Sequence, residues 1–111
     1  MKTREDALAL CMSFDGVYSD RPFKDANWQL VRHNENGKAF AMIFERNGLI
    51  WINCKGAPEV NAIRREVYPA VVPAYHLNKV HWVSIILDGS MDEADIKAIV
   101  ADSYRLTAKK Q

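Results

Sequence analysis

The residues of this chain best equipped for chemistry lie within a few positions of one another. His76, Asn78, Lys79, His81 and Trp82 crowd the first half of PAYHLNKVHWVSIILDGS, residues 73–90, and Ser84, Asp88 and Gly89 follow in the second. Two imidazoles could ligate a metal, yet His76 and His81 are spaced for one face of neither a helix nor a strand. Cys54 and His33 could join such a set only through tertiary packing, so structural histidines and no metal are expected. A nucleophilic enzyme would need a thiol or hydroxyl beside an imidazole that a carboxylate orients. Cys54, Ser84, His81 and Asp88 supply those types, but none falls in a recognisable nucleophile loop, and Cys54 has the position of a core residue on a strand. The five glycines are scattered among turns with no phosphate-cradling pattern. A non-catalytic protein without a cofactor is the expectation.

Charge leaves nucleic acid open. Net charge over the 111 residues is only +1, which argues against an overt polyanion binder. Residues 21–81 nevertheless carry nine basic and five acidic side chains, between mildly acidic ends. Lys38 and Arg46 sit beside two Asn-Gly turns, as basic hairpin wings would, and Arg32, Lys55, Arg64, Arg65, Lys79, His76 and His81 add to the basic middle. Trp28, Trp51 and Trp82 fall in strands, where sheet packing is the commoner duty than base stacking. Phosphate contacts from such a set would be weak and salt-sensitive. If one sheet face is left uncovered, tryptophans with Phe40 or Met42 on it would make a patch for a protein partner or a second copy.

These residues have to be positioned by one domain, residues 1–111, since the chain is too short for two independent cores. No apolar run approaches the roughly 20 residues of a membrane span, and the charged start lacks a secretory pattern. Two cysteines in apolar surroundings suggest no disulfide framework, and a cytoplasmic protein is expected.

Thr3 and Asp6 read as the cap of a short helix with Leu8, Cys11 and Met12 on one face. Residues 16–26 read as a loop. Strands follow at 27–33, 38–45 and 49–55, joined by turns containing Asn-Gly, the strongest short-range hairpin signal. Pro58 opens a second helix with Val60, Ile63 and Val67 as its buried stripe. Strands near 74–77 and 82–87 come next, the latter apolar on both faces as an interior strand is. Ser90 and Glu93 suggest a capping box for a last helix whose Ile96, Ile99, Val100, Ser103 and Tyr104 keep helical spacing. The order α-β(3)-α-β(2)-α predicts an α+β, two-layer α/β sandwich with an antiparallel sheet.

The run from His76 through Asn78, Lys79, His81 and Trp82 to Asp88-Gly89, with Asp102-Ser103-Tyr104 after it, resembles the MmcQ/YjbR family of small bacterial proteins. RPFKD resembles that family's Pro-Phe loop, with Lys24 where many members have glycine, and WQLVRHNENGKAFAMI with WINCK resembles its meander. The resemblance covers essentially the whole chain. It implies a fold like that of type III secretion chaperones. It also implies a DNA-binding label that rests on fold and paired wings, with no catalytic residues to carry over. The expected contacts are Arg32, Lys38, Arg46, Lys55, Lys79, His76 and His81; the alternative is a protein-interaction or homodimerisation module using the open sheet face.

Overall fold

Thr3 starts the fold as the sequence suggests. Its hydroxyl accepts from the Asp6 N–H at 3.0 Å while the Asp6 carboxylate accepts from the Thr3 N–H at 3.4 Å, closing a capping box. The structure, a computed structural model, describes residues 1–110. Its elements are α1 (Arg4–Met12), β1 (Val17–Asp20), β2 (Gln29–His33), β3 (Ala39–Arg46), β4 (Leu49–Lys55), α2 (Pro58–Val67), β5 (Val71–Pro73), β6 (Trp82–Ile86) and α3 (Glu93–Thr107). The six strands form one antiparallel sheet in the order β1-β2-β3-β4-β6-β5. The α+β two-layer architecture therefore stands, with one strand more than the sequence suggests.

That strand is β1, within the expected loop 16–26. It pairs Val17 with His33 and Asp20 with Leu30. A four-residue, half-exposed edge strand shows too little alternation to be read from sequence. β5 also falls earlier than expected, at 71–73 instead of 74–77, and residues 74–81 cross the sheet as a loop.

The β3–β4 turn places Asn47 and Gly48 at φ 54° and 77°, the two positive values that a two-residue hairpin turn demands. β2 and β3 meet through a longer turn and a bulge. Val31 faces Ala41 but Arg32 faces Ala39, so Phe40 is the extra residue. The bulge turns Phe40 as well as Ala41 toward the helices, so Phe40 is a core residue and not part of an open-face patch. Its ring meets Phe14, His33 and Tyr104 at centroid distances of 5.8, 5.3 and 5.3 Å. Beyond the pair Ala41–Cys54, the Ser103 hydroxyl accepts from the Lys55 N–H at 2.8 Å and donates to the Phe40 carbonyl at 2.6 Å. It thus satisfies backbone groups that the ladder leaves apart.

One core lies between the sheet and α1 with α3. Ala7, Cys11, Ile96, Ile99 and Val100 pack on Val31, Ile43, Ile52, Cys54, Val83 and Ile85. Met12 is exposed, not buried with Cys11. α3 keeps the expected stripe but begins after Asp92 without a side-chain cap, while Ser90 belongs to the preceding turn, its N–H donating to the Asp88 carboxylate at 2.9 Å. α2 departs furthest from expectation. Ile63 and Val67 are 59% and 60% exposed, and the buried side chain of this helix is Asn61. Here polar partners, not an apolar wall, decide which face turns inward.

Candidate functional site

The signature loop, residues 74–81, is built around its own backbone. His76 takes the left-handed conformation at φ 65°, uncommon for a residue with a Cβ, and reverses the chain. The Asn78 carboxamide oxygen accepts from the Val80 and His81 N–H groups at 2.9 and 3.1 Å, and the Trp82 N–H donates to the Asn78 carbonyl at 3.0 Å. Lys79 closes the loop, its ammonium donating to the Ala74 carbonyl at 2.8 Å. Asn61, fully buried on α2, fastens it from below by donating to the carbonyls of Gly56 and Val80 at 2.9 and 3.0 Å. The Gly56 N–H donates to the His81 carbonyl at 3.0 Å. Asp88 and Gly89 (φ 87°) form the later turn, where hydrogen bonds from Ser90 hold the Asp88 carboxyl below its usual range. Asn78 and Lys79 thus hold the loop's shape.

The same loop covers part of the sheet face that the helices leave free. Asn53 and Ser84 point to this face from neighbouring strands, and both are fully buried. The Ser84 hydroxyl accepts from the Tyr75 N–H at 3.0 Å and donates to Asn53, whose amide donates to the Tyr75 carbonyl at 3.0 Å. Tyr75 is docked as if it were another strand residue. Its ring joins Phe44 (5.7 Å), Trp51 (6.4 Å), His76 (4.0 Å) and Trp28 (6.3 Å), while Trp28 stacks on Phe44 at 4.2 Å. The Arg46 guanidinium lies over Tyr75 and Trp51 at 4.3 and 5.0 Å. Beside this group opens a cavity of about 370 Å³ lined by Phe23, Asp25, Trp28, Met42, His76 and Leu77.

The expected nucleic-acid contacts divide between the two ends of the strands. β3 runs from Ala39 to Arg46, roughly 23 Å at about 3.3 Å per residue, so the Lys38 and Arg46 hairpin tips lie at its opposite ends. They do not form a pair of wings. Arg32 opposite Ala39, Lys55 opposite Trp82, and His81 before it share the Lys38 end. Across the strands from β2 to β6 this set spans about 14 Å at 4.8 Å per strand. Lys38 and His81 are exposed, and Lys55 is half-buried. Arg32 pairs with Asp20 at 2.8 Å and donates to the Gly37 carbonyl at 3.0 Å. Lys79 belongs to this end through the loop, and His76 faces the cavity instead.

Two further cations, outside the expected contact set, join this end. Arg65 donates to the Lys79 carbonyl at 3.5 Å, and Lys109 follows α3 to the β2–β3 turn, where Asn36 donates to the Thr107 carbonyl at 3.0 Å. Helical spacing places Arg65 but not the loop it meets. Glu35, Asp15 and Glu59, the last in the first turn of α2 just after Lys55, are acidic neighbours there, while Asp102 is taken up by Arg64 at 2.5 Å and by Arg105. The opposite end carries the first turn of α3, with Glu93 and Asp95. Asn61 also lies outside the expected set, although an asparagine inside a helix, where that residue is a poor former, is a sequence signal of a polar duty.

Comparison with known proteins agrees with the fold. The YjbR family model matches residues 12–106. The uncharacterised protein YjbR of Escherichia coli strain K12 is 30% identical over 107 residues, covering 93% of this chain and 85% of that protein. The uncharacterised protein YbdF of Escherichia coli O157:H7 is 34% identical over 70 residues, a match that spans 63% of this chain and 57% of YbdF. The crystal structure of DR2400 from Deinococcus radiodurans superposes with a TM-score of 0.87 at 26% identity, covering 99% of this chain and 81% of that one.

Proposed function

The chain belongs to the YjbR family, and on that premise we propose that it binds DNA weakly, through the phosphate backbone and without catalysis. The observation that carries this reading is the gathering of Arg32, Lys38, Lys55, Lys79 and His81 at one end of the sheet, joined by Arg65 and Lys109. Neutralising a handful of phosphates releases counterions, which gives measurable affinity without base readout. Acidic neighbours and internal ion pairs keep the surplus small, so the affinity is modest and falls steeply with salt. Arg46 and His76, turned to the aromatic face, are not part of this contact set.

The surroundings of the candidate nucleophiles support a role without covalent chemistry. Burial pushes the Cys54 thiol well above its ordinary pKa and that of Cys11 up to about 12, so neither supplies a thiolate at neutral pH. The Ser84 hydroxyl is spent between Asn53 and the Tyr75 backbone. No helix among the described residues is long and apolar enough to cross a membrane.

A mobility shift with random-sequence duplex at low and moderate salt tests the proposal. Retardation at low salt that weakens at moderate salt, and is lost in a Lys38→Ala/Lys55→Ala/Lys109→Ala triple variant, is expected. A complex insensitive to salt, an unchanged triple variant, or no complex at either salt would refute it.

A further inference from the structure

The apolar stripe of α2 is not used by the proposed DNA contact and stays in water. Asn61 and Arg65 direct the inner side of this helix at the carbonyls of Gly56, Val80 and Lys79. Val60, Ile63 and Val67 are thereby turned away from the signature loop, the first half-buried and the other two exposed. Leu106 of α3, itself 46% exposed, extends the same surface. With Ala57 and Val60 it lines a groove of about 260 Å³ between the two helices. Contiguous apolar surface of this kind, rimmed by charge, marks a site of protein contact.

Its spacing and its rim identify the occupant. Val60, Ile63 and Val67 fall at positions a, d and a of a heptad, the pattern by which two helices pack side by side. Glu59 and Glu66, both exposed, then hold successive g positions, and Arg64 holds e on the opposite flank. That flank is cationic, because Arg64 and Arg105 share the one carboxylate of Asp102, and Arg105 stands 67% exposed beside Ala57 and Val60. One edge of the stripe is therefore acidic and the other basic. A two-fold axis along α2 sets the acidic edge of each copy against the basic edge of the other. Antiparallel pairing would instead set Glu59 against Glu66, like charge against like. We infer that α2 is a self-association surface, on which two copies of this chain pack the Val60, Ile63 and Val67 stripes in parallel, with Glu59 of each beside Arg105 of the other. A ten-residue helix buries less than a standard interface does, so the dimer is weak and reversible. Parallel pairing also brings both Lys55 side chains, just before the helices, to one end of the dimer. There, on the DNA reading above, two basic ends face one duplex; the dimer itself is tested without DNA, so the two readings fail separately.

Sedimentation velocity of the full chain between about 10 µM and 1 mM tests the inference, with a rise from the monomer toward the dimer value expected. Ile63→Asp, at an exposed position, should hold the chain monomeric across this range with an unchanged circular dichroism spectrum. Glu59→Lys should weaken the dimer about tenfold, and adding Arg105→Glu should restore it by exchanging the two charges. Orientation is read by cross-linking. Cys11 and Cys54 are buried, so a thiol introduced on α2 is the accessible one. With diamide, Val67→Cys should form a covalent dimer about tenfold faster than Ala62→Cys, because only parallel pairing sets residue 67 against itself. A monomer at every concentration, a dimer undiminished in Ile63→Asp, a charge exchange that restores nothing, or equal cross-linking at 62 and 67 would overturn the inference.

Discussion

Asn61 links the second helix to the signature loop, and its loss exposes how that loop is held. Its amide is the donor for two carbonyls, Gly56 and Val80, and its own carboxamide oxygen is buried without a hydrogen-bond partner. A Cβ on Gly56 would stand 2.2 Å from that oxygen, so glycine there is a steric requirement of the asparagine. Asn61→Ala should cost about 2–4 kcal/mol, since each buried carbonyl left without a donor costs about 1–3 kcal/mol. Gly56→Ala should cost about 1–3 kcal/mol through overpacking. Urea denaturation measures both, and an unmoved midpoint for Asn61→Ala would contradict this role. The sequence displayed Val60, Ile63 and Val67 at helical spacing and so pointed to the wrong face. Periodicity reports where apolar residues lie on a helix; it does not report that Gly56, Val80 and Asp102 await polar partners on the other side.

Between elements, β2 is joined to the end of α3 by His33. The Nε2 atom of its buried ring shares a hydrogen bond of 2.9 Å with the Thr107 hydroxyl, which lies 2.7 Å from the Ser103 carbonyl. Burial lowers the His33 pKa below its ordinary 6.5, against smaller opposing pulls from the Tyr104 backbone and Glu35. The unfolded chain then binds more protons than the folded one between the lowered value and about 6.5, so stability rises with pH across that window. The contribution is fully present above pH 6.5 and is lost as pH falls through the folded value. Thermal unfolding should show a lower midpoint at pH 5 than at pH 7.5, and His33→Gln should flatten this difference. An unchanged slope in the variant would remove His33 as its source. Asp6 and Asp88, both lowered by hydrogen bonds, act in a more acidic window and do not mask the effect. At this scale the legible parts were those encoded locally: the Asn47-Gly48 turn, the Thr3 cap and the α3 stripe. β1 was not, because a short edge strand is defined by the partner it pairs with. The cavity was not legible either, since Phe23, Trp28, Met42 and His76 meet only when the signature loop folds back across the sheet.

Across the whole molecule, charge is unevenly spread along the strands although the net value is near zero, with Arg4 and Arg46 the exceptions at the far end. The end with Lys38, Lys55, Lys79 and Lys109 is basic, while α3 begins at the other end with Glu93 and Asp95. An arrangement of this kind orients a protein toward a polyanion even when its average charge does not attract one. Lys38 and Arg46 separate this reading from the paired-wing picture because they occupy opposite ends of β3. If DNA meets the basic end, Lys38→Glu should weaken binding several-fold and reduce the magnitude of the salt slope, log K against log salt, by about 1. Arg46→Glu should leave both quantities within error while disturbing the packing on Trp51 and Tyr75. Equal losses from the two substitutions would return the contact to the hairpin tips. A loss confined to Arg46→Glu would move it to the aromatic face around Trp51 and Tyr75.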